Sequence, residues 1–437
     1  MSAANRKMHL VAYLKTGPTA SYASAWRHPT ASLHDIWDAE RYEDVARLLE
    51  EARFDAMFFA DGLGLPDLYK GSYADYVGRG GQMSLIDPMI VLPLMARATK
   101  HLGLASTIST TFNQPYHIAR SLGSLDLLSK GRAAWNVVTS ATDFEARNVG
   151  MVGVPPKDER YDRADDVLEA CFSLWDCWDA DALVMDKASG IFANPEKIRY
   201  ADHAGPFVSV RGPMSIPRSP QGRPVILQAG SSPRGRQCAV RWADVIFCTQ
   251  ATKADAITFR TDIHDRLLAV GRYPSEIRVL PTLSIVIGET ESIAREKAAF
   301  FDSLIDPELV LASSSTLLGV DLSRVETAEQ AEAEAGNQGI AGSRDRMSQV
   351  ARAQGISFAA AIRKPRGLVA GTASQIADIM EDWFTSGACD GFVLPPTTFP
   401  TTYEDSARTV TPELQRRGLL RREYAGRTLR ENLANPG

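Results

Sequence analysis

Residues 131–161 read GRAAWNVVTSATDFEARNVGMVGVPPKDERY. Residues 132–138, which are mostly apolar, predict a buried strand. That strand ends in three polar side chains, Asn136, Thr139 and Ser140. A loop follows, and a helix is expected to begin at Asp158, with Tyr161 in its first turn. A strand with a polar tip, then a loop and a helix, is the unit that holds ligands in an α/β barrel.

The same alternation of strand and helix recurs along the chain. The predicted strands are Met8–Leu14, Phe54–Ala60, His101–Ser109, Arg132–Val138, Val225–Gln228, Asp244–Cys248, Arg278–Ile287 and Gly391–Leu394. Alternating strands and helices over this length predict a parallel sheet, and eight units predict a closed (β/α)8 TIM barrel. An open doubly wound sheet needs a glycine fingerprint after an early strand, and Gly62-Leu63-Gly64 lacks the third glycine and the helix that follows it.

Three stretches are too long to be ordinary barrel loops. Residues 62–86 are rich in glycine and tyrosine, and we interpret them as a lid or pocket wall. Residues 180–222 carry many prolines and glycines, with a hairpin expected at His203–Val210. Residues 302–369 show uneven helical character without a repeat. We expect all three insertions to belong to a single domain that spans residues 1–437.

Composition excludes several classes of protein. The 437 residues are 44% hydrophobic and 23% charged, so the chain can bury a large core. The net charge of −5 and the lack of a basic stripe argue against a nucleic-acid partner. No apolar run approaches the ~20 residues of a membrane span. The five cysteines are scattered without a CxxC pair, which indicates reduced thiols and a cytoplasmic location.

The carboxyl ends of the predicted strands carry small groups that can form hydrogen bonds. They are Asp61, Thr107, Asn136, Thr139, Gly230, Ser231 and Ser232. Because function in a (β/α)8 barrel gathers at this end, we expect these residues around one mouth. The seven histidines are dispersed and no metal or nucleophile motif is present, so no metal site is predicted. Such a mouth fits a cofactor that carries the chemistry itself.

An anion site is predicted at Ser231-Ser232-Pro233. Ser232 is placed to cap a helix and Pro233 to be its first residue. The free N–H groups of a helix start favour a phosphate. Further candidates lie nearby in the sequence: Lys157, Arg160, Tyr161, Arg234 and Arg236. Asp158, Glu159 and Asp162 would repel a phosphate, so we expect them to face solvent and Tyr161 to face inward.

Each of these features also has a purely structural interpretation. Asp61 can cap a turn, the hydroxyls of residues 106–110 can pack at a strand end, and Ser232-Pro233 is a common helix start. The functional interpretation gains weight because all of these features fall on one predicted rim.

Four blocks of the sequence closely resemble the bacterial luciferase-like flavin monooxygenases. They are GRAAWNVVTSATDFEARNVG (131–150), DERYDRADDVLEACFSLW (158–175), SPQGRPVILQAGSSPRGR (219–236) and CDGFVLPP (389–396). The similarity runs from about Met8 to Leu429. The subgroup is that of the nitrilotriacetate, EDTA, dibenzothiophene sulfone and long-chain alkane monooxygenases.

The resemblance implies a TIM-like barrel and a homodimer or homotetramer. It also implies that a separate NAD(P)H:flavin reductase supplies reduced FMN (FMNH2). In the family, FMNH2 reacts with O2 to form a C4a-(hydro)peroxide. This peroxide then oxygenates a small organic substrate. Flavin-contacting positions of the family fall on Asp61, Thr107, Asn136, Tyr161, Ser231 and Ser232, and Gly230 lies beside them. Lys157 stands where relatives often have histidine, and it can pair with the phosphate as a point charge.

Departures from the family pattern concern the substrate. Histidines of relatives are missing in residues 19–24, at Ala141 and around residues 313–318. The acid or base is therefore unassigned, and a neutral or aromatic substrate is favoured over a multiply anionic chelate. Two alternatives stay open: a deazaflavin-dependent oxidoreductase of the same superfamily and a non-enzymatic flavin-binding protein.

Overall fold

The computed structural model describes residues 6–18, 21–230, 232–363 and 367–434. Its centre is a sheet of eight strands: β1 His9–Leu14, β2 Ala56–Phe59, β3 Gly103–Ser109, β4 Ala133–Val138, β5 Val225–Ala229, β6 Val245–Cys248, β7 Arg278–Pro281 and β8 Gly391–Leu394. Consecutive strands from β1 to β7 pair in parallel, and β8 pairs with β1. The backbone N–H of Leu283 donates to the carbonyl of Val393 over 2.9 Å and brings the two edges together. This arrangement confirms the predicted (β/α)8 barrel.

Helices surround the barrel or fill the insertions. In chain order they are α1 Ala39–Glu51, α2 Ala74–Gly78, α3 Pro88–Ala98, α4 Pro115–Leu128, α5 Asp143–Asn148, α6 Lys157–Trp175, α7 Pro233–Trp242, α8 Lys253–Ala269, α9 Glu291–Leu304, α10 Pro307–Leu318, α11 Ala328–Glu334, α12 Ala341–Gln354, α13 Phe358–Arg363, α14 Ala373–Thr385, α15 Thr401–Asp405, α16 Thr411–Arg416 and α17 Leu429–Ala434. A π-helical segment, Ser406–Val410, joins α15 to α16.

The strands are apolar on both faces because each face is covered. Alternate residues such as Val11, Phe58 and Ala134 fill the barrel interior in one hydrophobic cluster. The residues between them, such as Leu10 and Met57, pack against the surrounding helices. Most strand side chains are buried in this way, and those that are partly exposed, such as Val138 and Ala229, lie mainly at the carboxyl ends.

Local predictions were wrong at three places. The seventh predicted strand, Arg278–Ile287, is two strands, because β7 ends at Pro281 and Ile285–Ile287 pairs with Val369–Gly371 outside the barrel. The expected loop after β4 contains α5. Helix α6 begins at Lys157 rather than Asp158.

The insertions at 62–86 and 302–369 share one hydrophobic cluster. Tyr69 and Tyr76 of the first pack with Leu309 and Phe358 of the second, so the two segments support each other above the barrel. Residues 180–222 contain the expected hairpin, His203–Ala204 with Ser209–Val210. A further hairpin, Leu183–Asp186 with Ile191–Ala193, was not predicted. That the whole chain is a single domain stays a prediction.

Within the described ranges, no helix has the length and apolar character needed to cross a membrane. The five cysteines are all buried and none forms a disulfide.

Candidate functional site

A cavity of about 220 Å³ opens at the carboxyl ends of β2, β3 and β4. Its polar lining includes Asp61, Asp87, Thr107, Ser109, Ser140 and Glu145. Asp61 and Thr107 were predicted as site residues, and Ser140 belongs to the predicted polar tip of the fourth strand. The cavity therefore lies at the end of the barrel where parallel strands present their functional groups. The other described residues of the predicted site, which are Asn136, Lys157, Tyr161, Gly230 and Ser232, do not line this cavity.

Asn136 and Thr107 face each other across β4 and β3. Asn136 Nδ2 donates to Thr107 Oγ1 over 2.8 Å, and Thr107 Oγ1 donates to the carbonyl of Phe59 on β2 over 2.6 Å. These two bonds fix the Asn136 amide, yet its Oδ1 is buried without a hydrogen-bond partner among the described residues. A buried acceptor without a partner loses its hydration, so a ligand that donates a hydrogen bond there is favoured.

Asp61 and Glu145 bring two carboxylates to the cavity. The Glu145 carboxylate accepts hydrogen bonds from the Leu63 backbone N–H, over 3.1 Å, and from the Thr142 hydroxyl. Burial, as the largest cause, raises the pKa of both Asp61 and Glu145. Proximity between the two carboxylates raises the pKa of Glu145 further.

The predicted anion site forms a separate group beside this cavity. Ser232 caps α7, because its Oγ accepts from the Gly235 N–H over 3.2 Å, and Pro233 is the first helical residue, as expected. Tyr161 is 8% exposed and faces inward, as predicted. A methyl group added at Gly235 would lie 3.0 Å from the Tyr161 hydroxyl, and one at Gly230 would lie 3.5 Å away. Tyr161 thus packs closely on the turn that joins β5 to α7.

Not every predicted residue joins this group. Ser231 lies outside the described residues. Lys157 is partly exposed at the start of α6, and no described contact joins it to the Gly230–Gly235 turn. Arg234 pairs with Asp162 and Asp165, over 2.9 and 2.7 Å.

The remaining charges near the turn are also accounted for. Arg236 pairs with Asp262 over 2.8 Å, so both predicted arginines of α7 are held by carboxylates. Asp158, Glu159 and Asp162 are exposed, as expected. The helix N-terminus and the Ser232 hydroxyl are therefore the uncharged groups that this turn offers to an anion.

The second insertion contacts the tip of β4. The Gly339 backbone N–H donates to the carbonyl of Ala141 over 2.6 Å. The Arg160 guanidinium donates to the carbonyl of Ser140 and, over 3.0 Å, to that of Asn337. Arg160 is 3% exposed, so this seam between residues 337–339 and the strand tip is sheltered from solvent. Ala141, the position where histidine was noted as missing, lies in the seam.

The sequence predictions missed Lys15. It directly follows β1, and its Nζ donates to the carbonyl of Gln82 in the first insertion over 2.8 Å. Burial lowers the pKa of Lys15 to about 8. Its position just beyond a strand end was a usable signal, because the same rule had identified Asp61 and Thr107. Glu145 had no such signal, since it lies on α5, within the expected loop.

Among the described residues, no cluster of three or more histidines, cysteines, aspartates or glutamates could hold a metal ion. The cavity lining instead offers hydroxyls, carboxylates, the Asn113 amide and the His117 imidazole. The Asn136 amide lies behind Thr107. These groups can bind and orient an organic cofactor.

Comparisons with known proteins agree with this geometry. The family model described as luciferase-like monooxygenase matches residues 19–389. Dibenzothiophene-sulfone monooxygenase of Rhodococcus erythropolis (strain XP) is 40% identical, over 98% of this chain and 96% of that protein. Nitrilotriacetate monooxygenase component A of Aminobacter aminovorans is 36% identical, over 98% of this chain and 97% of that protein. The crystal structure of a riboflavin lyase with modified FMN and riboflavin superposes with a TM-score of 0.88, at 32% identity over 98% of this chain and 96% of that one.

Proposed function

The chain belongs to the luciferase-like monooxygenase family, and from this premise we propose that it is the oxygenase component of a two-component system acting on a neutral organic substrate. The predictions of the family, of a monooxygenase, and of reduced FMN with O2 are confirmed by the relatives and by the FMN-bound neighbour. The roles that we assign to individual residues are part of this proposal.

Two buried groups behind the cavity lining fit a reduced flavin: Asn136, which bonds to the lining residue Thr107, and Gln228, which bonds to the Gly235 carbonyl. The Asn136 Oδ1 and the Gln228 Oε1 are buried acceptors without partners in the described part of the chain. A reduced flavin ring carries N–H groups, which such acceptors need. The turn at Ser232 offers N–H groups at a helix start, which suit a phosphate. This combination of an unpaired buried amide oxygen and a neighbouring helix start is the observation that carries the proposal.

We assign the predicted residues accordingly. Asp61, Thr107 and Asn136 lie with the ring, while Tyr161, Gly230, Ser231 and Ser232 lie with the phosphate. Lys157 contributes its charge from the first turn of α6. Bound reduced FMN supplies the reaction with O2 that places one oxygen atom in the substrate and the other in water.

The protein's part is to orient and to exclude water. The hydrogen bonds from Asn136 through Thr107 to Phe59 hold the amide in one orientation. Its oxygen, which has no partner among the residues that the structure describes, is therefore preorganised. The seam of Arg160 and Gly339 holds the second insertion on the tip of β4. Closure of the mouth by that insertion keeps bulk water from the reacting atoms.

The partner is a separate NAD(P)H:flavin reductase. One relative is named as a component A, which fits an oxygenase that works with a second protein. We also propose that this chain forms a homodimer or homotetramer, as its resemblance to the family implies.

The substrate is proposed to be neutral. The cavity is lined by three carboxylates, Asp61, Asp87 and Glu145, which disfavour a multiply anionic ligand. Dibenzothiophene sulfone, the compound named for one relative, is an uncharged aromatic molecule of this kind. Nitrilotriacetate, named for another, carries several negative charges.

The test is turnover of the purified chain with FMN, NADH, O2 and a flavin reductase. We expect oxygenated product from the sulfone, with a kcat/KM at least tenfold above that for nitrilotriacetate. A preference for nitrilotriacetate would overturn the neutral-substrate proposal. Tight binding of deazaflavin with no affinity for FMN would overturn the oxygenase proposal itself.

A further inference from the structure

The cavity at the carboxyl ends of β2, β3 and β4 extends beyond the barrel. Its buried lining includes Thr107 and Glu145, each only 8% exposed. Its lining also includes His117 and Ser121 of α4, and both of these side chains are exposed. Because buried groups at the strand ends and exposed groups on a helix line the same cavity, the cavity connects the mouth with the protein surface beside α4.

Three apolar side chains from three elements form one wall of this cavity. Met89 lies in the first turn of α3, Ile108 lies on β3 and Ile118 lies on α4. Ile118 is a buried member of one hydrophobic cluster, and Met89 and Ile108 pack against that cluster. Met89 packs also against the cluster that contains Leu92 of its own helix. Met89 therefore bridges the gap between α3 and α4, and its flexible, unbranched side chain can adapt to a molecule there.

The backbone on both sides of the gap is held in place. Asp87 caps α3, because its carboxylate accepts a hydrogen bond from the Met89 backbone N–H over 2.8 Å. Just before α4, Asn113 Nδ2 donates to the carbonyl of Ser109 over 3.0 Å. Since both helix starts are fixed in this way, side chains rather than backbone movements set the width of the gap.

Entry from above the barrel meets the two insertions. Arg79 of the first insertion pairs with Asp306 of the second over 2.6 Å. Glu308 of the second accepts from the Tyr69 hydroxyl over 2.8 Å and from Lys70 Nζ over 2.9 Å. Together with the shared hydrophobic cluster, these contacts would have to break before a molecule could pass between the insertions. The gap between α3 and α4 reaches the mouth without parting them.

We propose that the organic substrate enters and leaves through the gap between α3 and α4, and that Met89 and Ser121 limit the size of the molecule that passes. This inference rests on the proposed function, which supplies the neutral substrate and the flavin at the mouth. The apolar wall suits an uncharged molecule, because a charge would lose its hydration there. A cavity of about 150 Å³ can hold benzene. The 220 Å³ of this cavity therefore admits an aromatic ring.

A residue that only contacts the bound substrate makes a different prediction from a residue in the passage. Loss of a contact in the bound state changes mainly the dissociation rate constant, and therefore changes Kd. A block in the passage lies between the free and the bound state. It slows entry and exit by the same factor and leaves Kd unchanged.

The experiment measures the association and dissociation rate constants of dibenzothiophene sulfone by anaerobic stopped flow, with the full-length chain loaded with FMNH2. Ser121→Trp places an indole at the exposed end of the cavity. We expect both rate constants to fall about tenfold or more, with Kd changed less than about twofold. Met89→Ala widens the gap, so both rate constants should rise about threefold or more. This second variant tests the passage without adding a bulky side chain that could disturb folding.

Ser124→Trp is the matched control for Ser121→Trp. Ser124 lies one turn further along α4 and is not among the residues that line the cavity. Its rate constants should equal those of the unsubstituted chain. Equal rate constants in Ser121→Trp and Ser124→Trp, or a change in Ser121→Trp that appears only in dissociation, would overturn the inference and leave the oxygenase proposal intact. Failure of the unsubstituted, FMNH2-loaded chain to bind the sulfone would instead overturn the proposed neutral substrate on which the inference rests.

Discussion

Asn136 donates a hydrogen bond to Thr107 over 2.8 Å and keeps its own amide oxygen buried without a partner in the described part of the chain. Thr107 cannot turn away, because its hydroxyl donates to the Phe59 carbonyl over 2.6 Å. Three neighbouring strands thus hold one acceptor in a single orientation. This preorganised acceptor is the basis on which the flavin is assigned to the mouth.

Asn136→Ala is expected to weaken FMNH2 binding by about 1 kcal/mol, or roughly fivefold, the usual scale for a lost hydrogen bond. Anaerobic titration of the apo-protein with FMNH2, followed by protein fluorescence, measures the change. Asn194→Ala is the control, since Asn194 caps a short helix in the 180–222 insertion. Equal affinities in the Asn136 variant and the unsubstituted chain would place the ring elsewhere.

Tyr161→Phe and Ser232→Ala should each weaken FMN binding by about 1 kcal/mol or more, because both hydroxyls are assigned to the phosphate. Riboflavin has the same ring without the phosphate, so its affinity should change less than twofold. The ratio of the two affinities in each variant is the measurement. Parallel losses for FMN and riboflavin would show that these hydroxyls do not contact the phosphate. Ser231→Ala is expected to behave like Ser232→Ala.

Asp61 should make the apo-protein less stable as pH rises. Burial raises the pKa of Asp61 in the folded state above its unfolded value of roughly 3.9. The contribution of Asp61 to the free energy of unfolding is therefore complete below the unfolded pKa. It is lost as pH rises through the pKa of the folded state. Asp61→Asn should therefore have a higher Tm than the unsubstituted chain at pH 7.5. The difference should vanish near pH 4. Thermal unfolding, monitored by circular dichroism, measures the Tm of both proteins at each pH.

Asp186 is the control, because its pKa in the folded state is shifted in the opposite direction. A hydrogen bond from Ser189 is the largest cause that lowers the pKa of this exposed carboxyl, so its contribution is lost as pH falls. Asp186→Asn should not raise the Tm at pH 7.5. At pH 7.5, two results would contradict the account of a desolvated carboxylate at the mouth. One is an Asp186→Asn protein with a higher Tm than the unsubstituted chain. The other is an Asp61→Asn protein whose Tm is not higher.

Much of the fold was predictable because it follows from local patterns. Apolar runs of strand length, each followed by a helix, gave the eight strands, and Gly391–Leu394 has the predicted bounds. The break after Pro281 was not predictable, since Ile285–Ile287 continues the apolar run and pairs with residues more than 80 positions later. Pairing at that distance is decided by tertiary structure, not by local sequence.

Positions at the strand ends were predictable, while their roles stay predictions. The strand-end rule named Asp61 and Thr107, which line the cavity, and Asn136, which bonds to Thr107. The rule gave no sign that Arg234 and Arg236, beside the predicted anion site, pair with carboxylates. Such partners depend on how helices pack, and the sequence near the turn contains no sign of them.

Arg160→Gln should loosen the second insertion, because it removes the donors to the carbonyls of Ser140 and Asn337. Hydrogen exchange of residues 337–340 should become faster by about tenfold, as for a weakened local contact. Product formed per NADH consumed should fall, since water then reaches the mouth. Arg352→Gln removes exposed ion pairs between α12 and α11, away from the tip of β4, and should change neither the exchange rate nor the product formed per NADH. Unchanged exchange in the Arg160 variant would show that the seam does not hold the insertion.

A single-turnover experiment with labelled oxygen tests the central claim most directly. The chain is loaded anaerobically with one equivalent of FMNH2 and with dibenzothiophene sulfone, and it is then mixed with ¹⁸O2. An FMNH2-dependent monooxygenase yields product that carries one ¹⁸O atom, and Asn136→Ala yields less of it. Product without ¹⁸O, or flavin oxidation with no oxygenated product although FMNH2 and the sulfone are both bound, would contradict the account.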